Sequence, residues 1–391
     1  DQAVTNDPGE GRWTGKLQGD RVRLDLRFAS LPFSSRASFD VDLDELHGLD
    51  RADFDRGSGQ RPVSFRLSRD AGTIVFEGQG GRRPSGTYTF ESDPEFVRAL
   101  NVGGDSFPDD GELFRLAIHD VPIALVEGLG ALGYDRLDTS EVVRVTVHGI
   151  DIDFIEAMQK LGYRPEIDDL VRLRVHGVAT ETVARFEALG LTGAPVEDVI
   201  RLKTHGVAPD DVRAMADVGI DPENIDGLIR LHTHGVRPAW IADVRASGFR
   251  ELEIEELIRL TTHGVPADYL EAATEAGLGD ADIDDIVSLR THGIDPGFMI
   301  GMTALGYDSE RELVKLKING VEVDSVRALH GIGYDDLDVE ELVRLRNHGI
   351  TPEFVQRLAE AGHTDLSVEE LVRIRTRGID DFLAGQSESR I

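Results

Sequence analysis

The chain contains no cysteine, which removes disulfides, thiolate metal sites and cysteine nucleophiles from consideration. Aromatic residues are scarce at 6%, so few large side chains are left to anchor a ligand once a core has taken its share. Basic residues are scarce too: 42 Lys and Arg stand against 73 Asp and Glu, a net charge of −31. A surface of that sign repels phosphate backbones, and no basic stripe offsets it, so no nucleic-acid partner is expected. No stretch approaches the roughly 18–20 apolar residues that cross a bilayer, so no membrane insertion is expected. The HExxH, G-x-S-x-G, phosphate-loop and dinucleotide patterns are missing as well, and the expectation is a non-enzymatic protein with no cofactor. The sequence opens at Asp1 without a basic or apolar leader. That reads as a removed signal peptide or a trimmed chain, and the protein is expected outside the cytoplasm, extracellular or periplasmic.

What the chain does have is a repeat. A His-Gly pair followed by Val or Ile recurs at His148-Gly149, His176-Gly177, His205-Gly206, His234-Gly235, His263-Gly264, His292-Gly293 and His348-Gly349. Degenerate copies stand at His119-Asp120, Asn319-Gly320 and Arg377-Gly378, and successive copies lie 29, 28, 29, 29, 29, 29, 27, 29 and 29 residues apart. Fifteen residues after each of the first nine comes a second stop, typified by Leu-Gly-Tyr at Tyr134, Tyr163 and Tyr307 and by Ile-Gly-Tyr at Tyr334. That offset never changes, so a helix, the His-Gly turn and a second helix form one rigid hairpin, and the length changes fall in the loop that follows.

Each half of the hairpin has a physical cause. In Val339–Arg346 the apolar residues Val339, Leu342, Val343 and Leu345 share a helical face, while Glu340 and Arg344 are spaced for an i,i+4 pair. The same spacing recurs at Asp168 and Arg172, Glu197 and Arg201, Asp226 and Arg230, Glu255 and Arg259, and Glu369 and Arg373. Gly349 ends the helix where a left-handed residue is needed. Thr351-Pro352 then caps and starts the second helix, with Pro209, Pro238 and Pro296 in similar places. Helices of about ten residues are unstable alone, so stacked neighbours must supply the stability.

The fold class expected is therefore α+β, with a small antiparallel β sheet or sandwich followed by an α-solenoid of about nine hairpins. The boundaries are an N-terminal arm 1–11, a β domain 12–92, repeats 93–383 and a tail 384–391. The β domain rests on alternation in Arg21–Phe28, Ser38–Leu43 and Val63–Leu67, with shorter runs at Thr73–Phe76 and Thr87–Phe90. About six strands are expected, closing over the first helices.

The histidines read as caps rather than metal ligands. Repeat neighbours sit roughly 10 Å apart, whereas zinc ligands converge to about 2.0–2.1 Å from one ion. A histidine at a helix C-terminus can instead satisfy the last carbonyls. Asp40, Asp42, Asp44, Asp53 and Asp55 are the densest acidic cluster and the weak candidates for a cation, although EF-hand spacing is missing. Val368, Leu371, Val372, Ile374 and Phe382 keep the buried-type pattern without a full partner helix after them, which marks them as interface candidates.

The blocks Leu342–Ile350 and Thr351–Val355 resemble a hairpin repeat of bacterial proteins in which it follows an antibiotic-sensor-type membrane metallopeptidase. The peptidase's membrane helices and zinc motif are missing here, so the resemblance implies architecture and not activity. The function expected is structural: copies of the chain joined head to tail into an extracellular filament, with the arm lying on a neighbour. The alternative is a monomeric solenoid that binds a peptide or another protein.

Overall fold

The computed structural model describes residues 9–30, 33–54, 61–100, 108–134 and 137–378. Two units, Asp1–Thr204 and His205–Ile391, are each described by themselves.

The first unit opens with seven strands: β1 (Glu10–Gln18), β2 (Arg21–Ser30), β3 (Phe33–Asp42), β4 (Leu46–His47), β5 (Pro62–Arg69), β6 (Gly72–Gln79) and β7 (Ser85–Ser92). They form one antiparallel sheet in the order β3-β2-β1-β7-β6-β5-β4, so the single-sheet alternative holds over the sandwich, with one strand more than expected. The period of two explains its core: Val22, Leu24 and Leu26 of β2 turn inward with Phe65 and Leu67 of β5 and Ile74 and Phe76 of β6, and Trp13 of β1 joins them. Trp13 meets Phe65 edge-on at 4.9 Å, and its indole N–H donates to the Glu77 carbonyl at 3.2 Å.

Among the described residues eight helices follow in this unit: α1 (Pro94–Leu100), α2 (Asp110–Ile118), α3 (Ile123–Ala131), α4 (Thr139–Val147), α5 (Ile152–Lys160), α6 (Ile167–Val175), α7 (Thr180–Glu187) and α8 (Val196–Thr204). The sheet closes over the first of them, as expected. Phe114 of α2 stacks on Tyr88 at 5.3 Å, and the Asp70 carboxylate in the β5–β6 turn accepts the Ile123 N–H at 2.9 Å, capping α3. Arg69 beside it pairs with Glu45 and, at 3.1 Å, with Asp120. Asp120 is the residue standing where later repeats carry glycine, and it adopts the left-handed φ of 53°.

The second unit holds α9 (Pro209–Asp217), α10 (Ile225–Thr233), α11 (Pro238–Ala246), α12 (Ile254–Thr262), α13 (Ala267–Glu275), α14 (Ile283–Thr291), α15 (Pro296–Thr303), α16 (Glu310–Ile318), α17 (Val323–His330), α18 (Val339–Asn347), α19 (Pro352–Glu360) and α20 (Val368–Arg377). First helices pack on first helices, as α14 on α16, and second on second, as α13 on α15. Each hairpin thus adds one rod to each of two layers, with a continuous apolar seam between.

Both helix ends in a hairpin close the same way. The Gly149 N–H donates to Thr146 and the Ile150 N–H reaches back to Val145, each at 3.0 Å, with Gly149 left-handed and Ile150 buried. At the second stop the Tyr163 N–H returns to Met158 at 3.0 Å after left-handed Gly162. Many first helices start on a reciprocal cap: at α18, the Asp338 carboxylate accepts the Glu341 N–H at 2.8 Å and the Glu341 carboxylate accepts the Asp338 N–H at 3.0 Å. Among the described residues no helix is long and apolar enough to cross a membrane.

Candidate functional site

The repeat brings three kinds of contact to the seams between hairpins. The first is a row of ion pairs. The sixth residue of one first helix reaches the acid near the start of the next: Arg144 to Asp168, Arg172 to Glu197, Arg230 to Glu255, Arg259 to Asp284, and Lys315 to Glu340. At Arg172 and Arg259 the acid of the next hairpin takes the place of the i,i+4 acid expected, and Arg172 also meets Asp169 of its own helix at 3.5 Å. Glu369 and Arg373 do pair within α20, at 3.6 Å. The bonds to Arg172, Arg230 and Lys315 hold the Glu197, Glu255 and Glu340 carboxyls below the usual range.

The second is a row of tyrosine hydroxyls. Tyr134 donates to the Pro165 carbonyl at 2.6 Å, Tyr307 to Leu337 at 2.7 Å and Tyr334 to Leu366 at 2.8 Å, each bridging to the loop of the next hairpin. Burial pushes all three phenols up from their ordinary value.

The third is a cation over a ring. The eighth residue of a first helix lies over the aromatic near the start of the preceding second helix. Arg174 covers Phe154 at 4.6 Å, Arg290 covers Tyr269 at 5.5 Å, Lys317 covers Phe298 at 4.6 Å and Arg375 covers Phe354 at 5.1 Å. Asp151 at 3.1 Å and Asp295 at 2.8 Å complete the partners of Arg174 and Lys317. This row escaped the reading of the sequence, although its signal is there as a base and an aromatic at fixed offsets in the repeat.

The histidine row lies on the outer edge. His148, His176, His205, His234, His263, His292 and His348 are all exposed, and the glycine after each has a positive φ. The backbone does most of the capping: the His148 N–H donates to Arg144 at 3.0 Å, and the His263 N–H to Arg259 at 3.0 Å. The His292 imidazole joins in, its Nδ1 2.8 Å from the Ser288 carbonyl, while His176 Nδ1 lies 3.4 Å from Thr204 Oγ1 on the next first helix. The residue before the histidine is the unforeseen part of this edge. Val147, Val175 and Ile318 are exposed apolar side chains there. Thr233, Thr262 and Thr291 occupy the same place and bond back to their own helix, each at 2.7 Å.

The acidic cluster is spread out and largely answered. Asp40 faces Arg23 at 3.4 Å, Asp42 faces Arg21 at 3.1 Å, and the Asp53 carboxylate accepts the Asp50 N–H at 2.8 Å. Asp44 lines an open depression with Asp20, Asp42 and Asp50, and Asp55 lies outside the described residues. Among the described residues no three His, Asp or Glu side chains gather as a metal site would require. Val368, Leu371 and Ile374 are buried and Val372 is half-buried, because α20 seats this face on α18. They are core side chains rather than an open contact face, and Phe382 lies outside the described residues.

No protein-family model matches the chain, and no curated protein matches it.

Proposed function

We propose that the protein is a non-enzymatic structural or interaction protein, secreted or periplasmic, whose copies join head to tail. The observation that carries this reading is the direction of the ion-pair row. Several hairpins present a base on one side and an acid on the other, as Arg230 does to Glu255 and Arg259 to Asp284. A surface with two unlike, complementary sides makes heterologous contacts, and these generate rings or filaments. On α20, Arg373 turns back to its own Glu369 at 3.6 Å, an exposed pair that an acid from a second copy would compete for.

Light scattering and electron microscopy across protein and salt concentration test this. The −31 charge opposes association at low salt, so larger species should grow as salt screens it, and Arg373→Glu should shorten them. A monomer under every condition, or filaments indifferent to Arg373→Glu, overturns it. A second reading, a monomer that binds peptides, is favoured by a cleft in the second unit.

A further inference from the structure

The cation-over-ring row keeps the cation and loses the ring at two steps, Lys203 with Thr182 and Arg346 with Ser325, and the second opens onto a cleft. Arg346 is the eighth residue of α18, the position held by Arg375 in α20 and Arg290 in α14. Its guanidinium lies beside the glycine of the preceding turn, as Arg375's does: a Cβ added at Gly320 would lie 3.5 Å from Arg346 Nε, and one at Gly349 3.8 Å from Arg375 Nη2. Beneath Arg375 lies the half-buried ring of Phe354, 5.1 Å away. The residue equivalent to Phe354 in α17 is Ser325. Among the described residues the Arg346 side chain makes no ion pair or hydrogen bond, and it is exposed.

A cleft opens where the ring would be. Ser325, Val326, Leu329, Leu342 and Leu345 line its floor, with Arg346 and Glu322 as the charged groups on its wall. Its volume, counted as the space open to the centre of a water-sized sphere, is about 50 Å³. That exceeds the roughly 10–15 Å³ one water needs and falls short of the roughly 150 Å³ of a cavity that takes in benzene whole. A ring would sit in it half-covered, as Phe354 does under Arg375.

We propose that this cleft is a docking site for an uncharged aromatic side chain, phenylalanine or tyrosine, on an extended peptide segment of another protein. The four filled positions, at Phe154, Tyr269, Phe298 and Phe354, specify the occupant: a flat ring under a cation, on an apolar floor. An aliphatic side chain would use the floor and forgo the attraction of the ring face for the guanidinium. One acid and one base on the wall cancel, so the ring needs no charge of its own. The proposal does not rest on self-assembly.

The test is titration of the full chain with a short blocked peptide, Gly-Phe-Gly, followed by NMR at the Ser325 and Gly320 amides and the Arg346 side chain. The cyclohexylalanine peptide is the control. The phenylalanine peptide should shift these signals at millimolar concentration, with the cyclohexylalanine peptide at least several-fold weaker. Ser325→Phe should fill the cleft from within, leave the melting temperature equal or higher, and abolish the shifts. Arg346→Gln should weaken them several-fold with the fold intact. Equal binding by the two peptides, unmoved signals in the unmodified chain, or undiminished binding by Ser325→Phe overturns the proposal.

Discussion

If the tyrosine hydroxyls hold one hairpin to the next, Tyr307→Phe should loosen one seam and leave the others alone. The Tyr307 ring is buried and stays so in the variant, while its hydroxyl, 2.7 Å from the Leu337 carbonyl, is lost. The net worth of such a bond is about 0.5–1.5 kcal/mol, and the carbonyl left without its donor places the expectation near 1 kcal/mol. In a repeat array, stability is a sum of hairpin terms and nearest-neighbour interface terms, and this loss falls on one interface. Opening of α18–α20 as a group breaks that interface, so its amides should exchange roughly fivefold faster, the factor that about 1 kcal/mol implies. Exchange in α10–α12, remote from the seam along the chain, should not change. Hydrogen exchange read by mass spectrometry measures both regions in one experiment. A uniform acceleration, or none, would refute the assignment of a seam role to the hydroxyl. Tyr334→Phe removes the equivalent bond to Leu366 at 2.8 Å and should repeat the result one hairpin later.

Gly264→Ala should cost about 1–2 kcal/mol, the penalty for a left-handed non-glycine residue. Its φ is 61° and no atom lies within 4 Å of the added Cβ, so the cost is purely of backbone origin. A melting temperature unchanged in this variant would contradict it. The acid side of the stability curve has a defined sign. Arg172, Arg230 and Lys315 lower the folded-state values of Glu197, Glu255 and Glu340. Their stabilisation is therefore complete above the unfolded-state range near pH 4 and disappears as pH falls through the lowered folded values. Glu255→Gln should flatten that part of a melting-temperature profile, and an unaltered profile would argue against the pairing.

The repeat was legible because it is written in backbone terms. A left-handed glycine every 29 residues or so and a buried Val or Ile after it leave few alternatives. Strand β1 was not legible as an alternating run, and the reason is local. It lies centrally, between β2 and β7, and carries Gly11 and Gly15 where a longer side chain would be expected. A Cβ at Gly11 would lie 2.3 Å from the Arg27 carbonyl and 2.8 Å from the Tyr88 ring, so close packing removed the pattern that announces a strand. Strand β4, of two residues, is too short to have a pattern.

The ion pairs show a deeper limit of reading a tandem array. In a repeat, an acid and a base four residues apart in one helix imply, by translation, an acid in the next helix facing the same base. The two pairings therefore predict identical sequences. Geometry decides between them: adjacent first helices pack directly, as α10 does on α12 and α12 on α14, bringing Glu255 to Arg230 and Asp284 to Arg259. Where a repeat departs from its neighbours the ambiguity lifts. Ser288 stands where other first helices carry a base, and it reaches across to Glu310, so a hydroxyl keeps the cross-hairpin direction without the charge. Ser325 is the opposite kind of departure, since among the described residues no ring stands at the place that Phe354 fills under Arg375, and the cleft beside Arg346 lies there. Periodicity thus identifies the scaffold, and a broken period identifies where the surface of one hairpin differs from that of its neighbours.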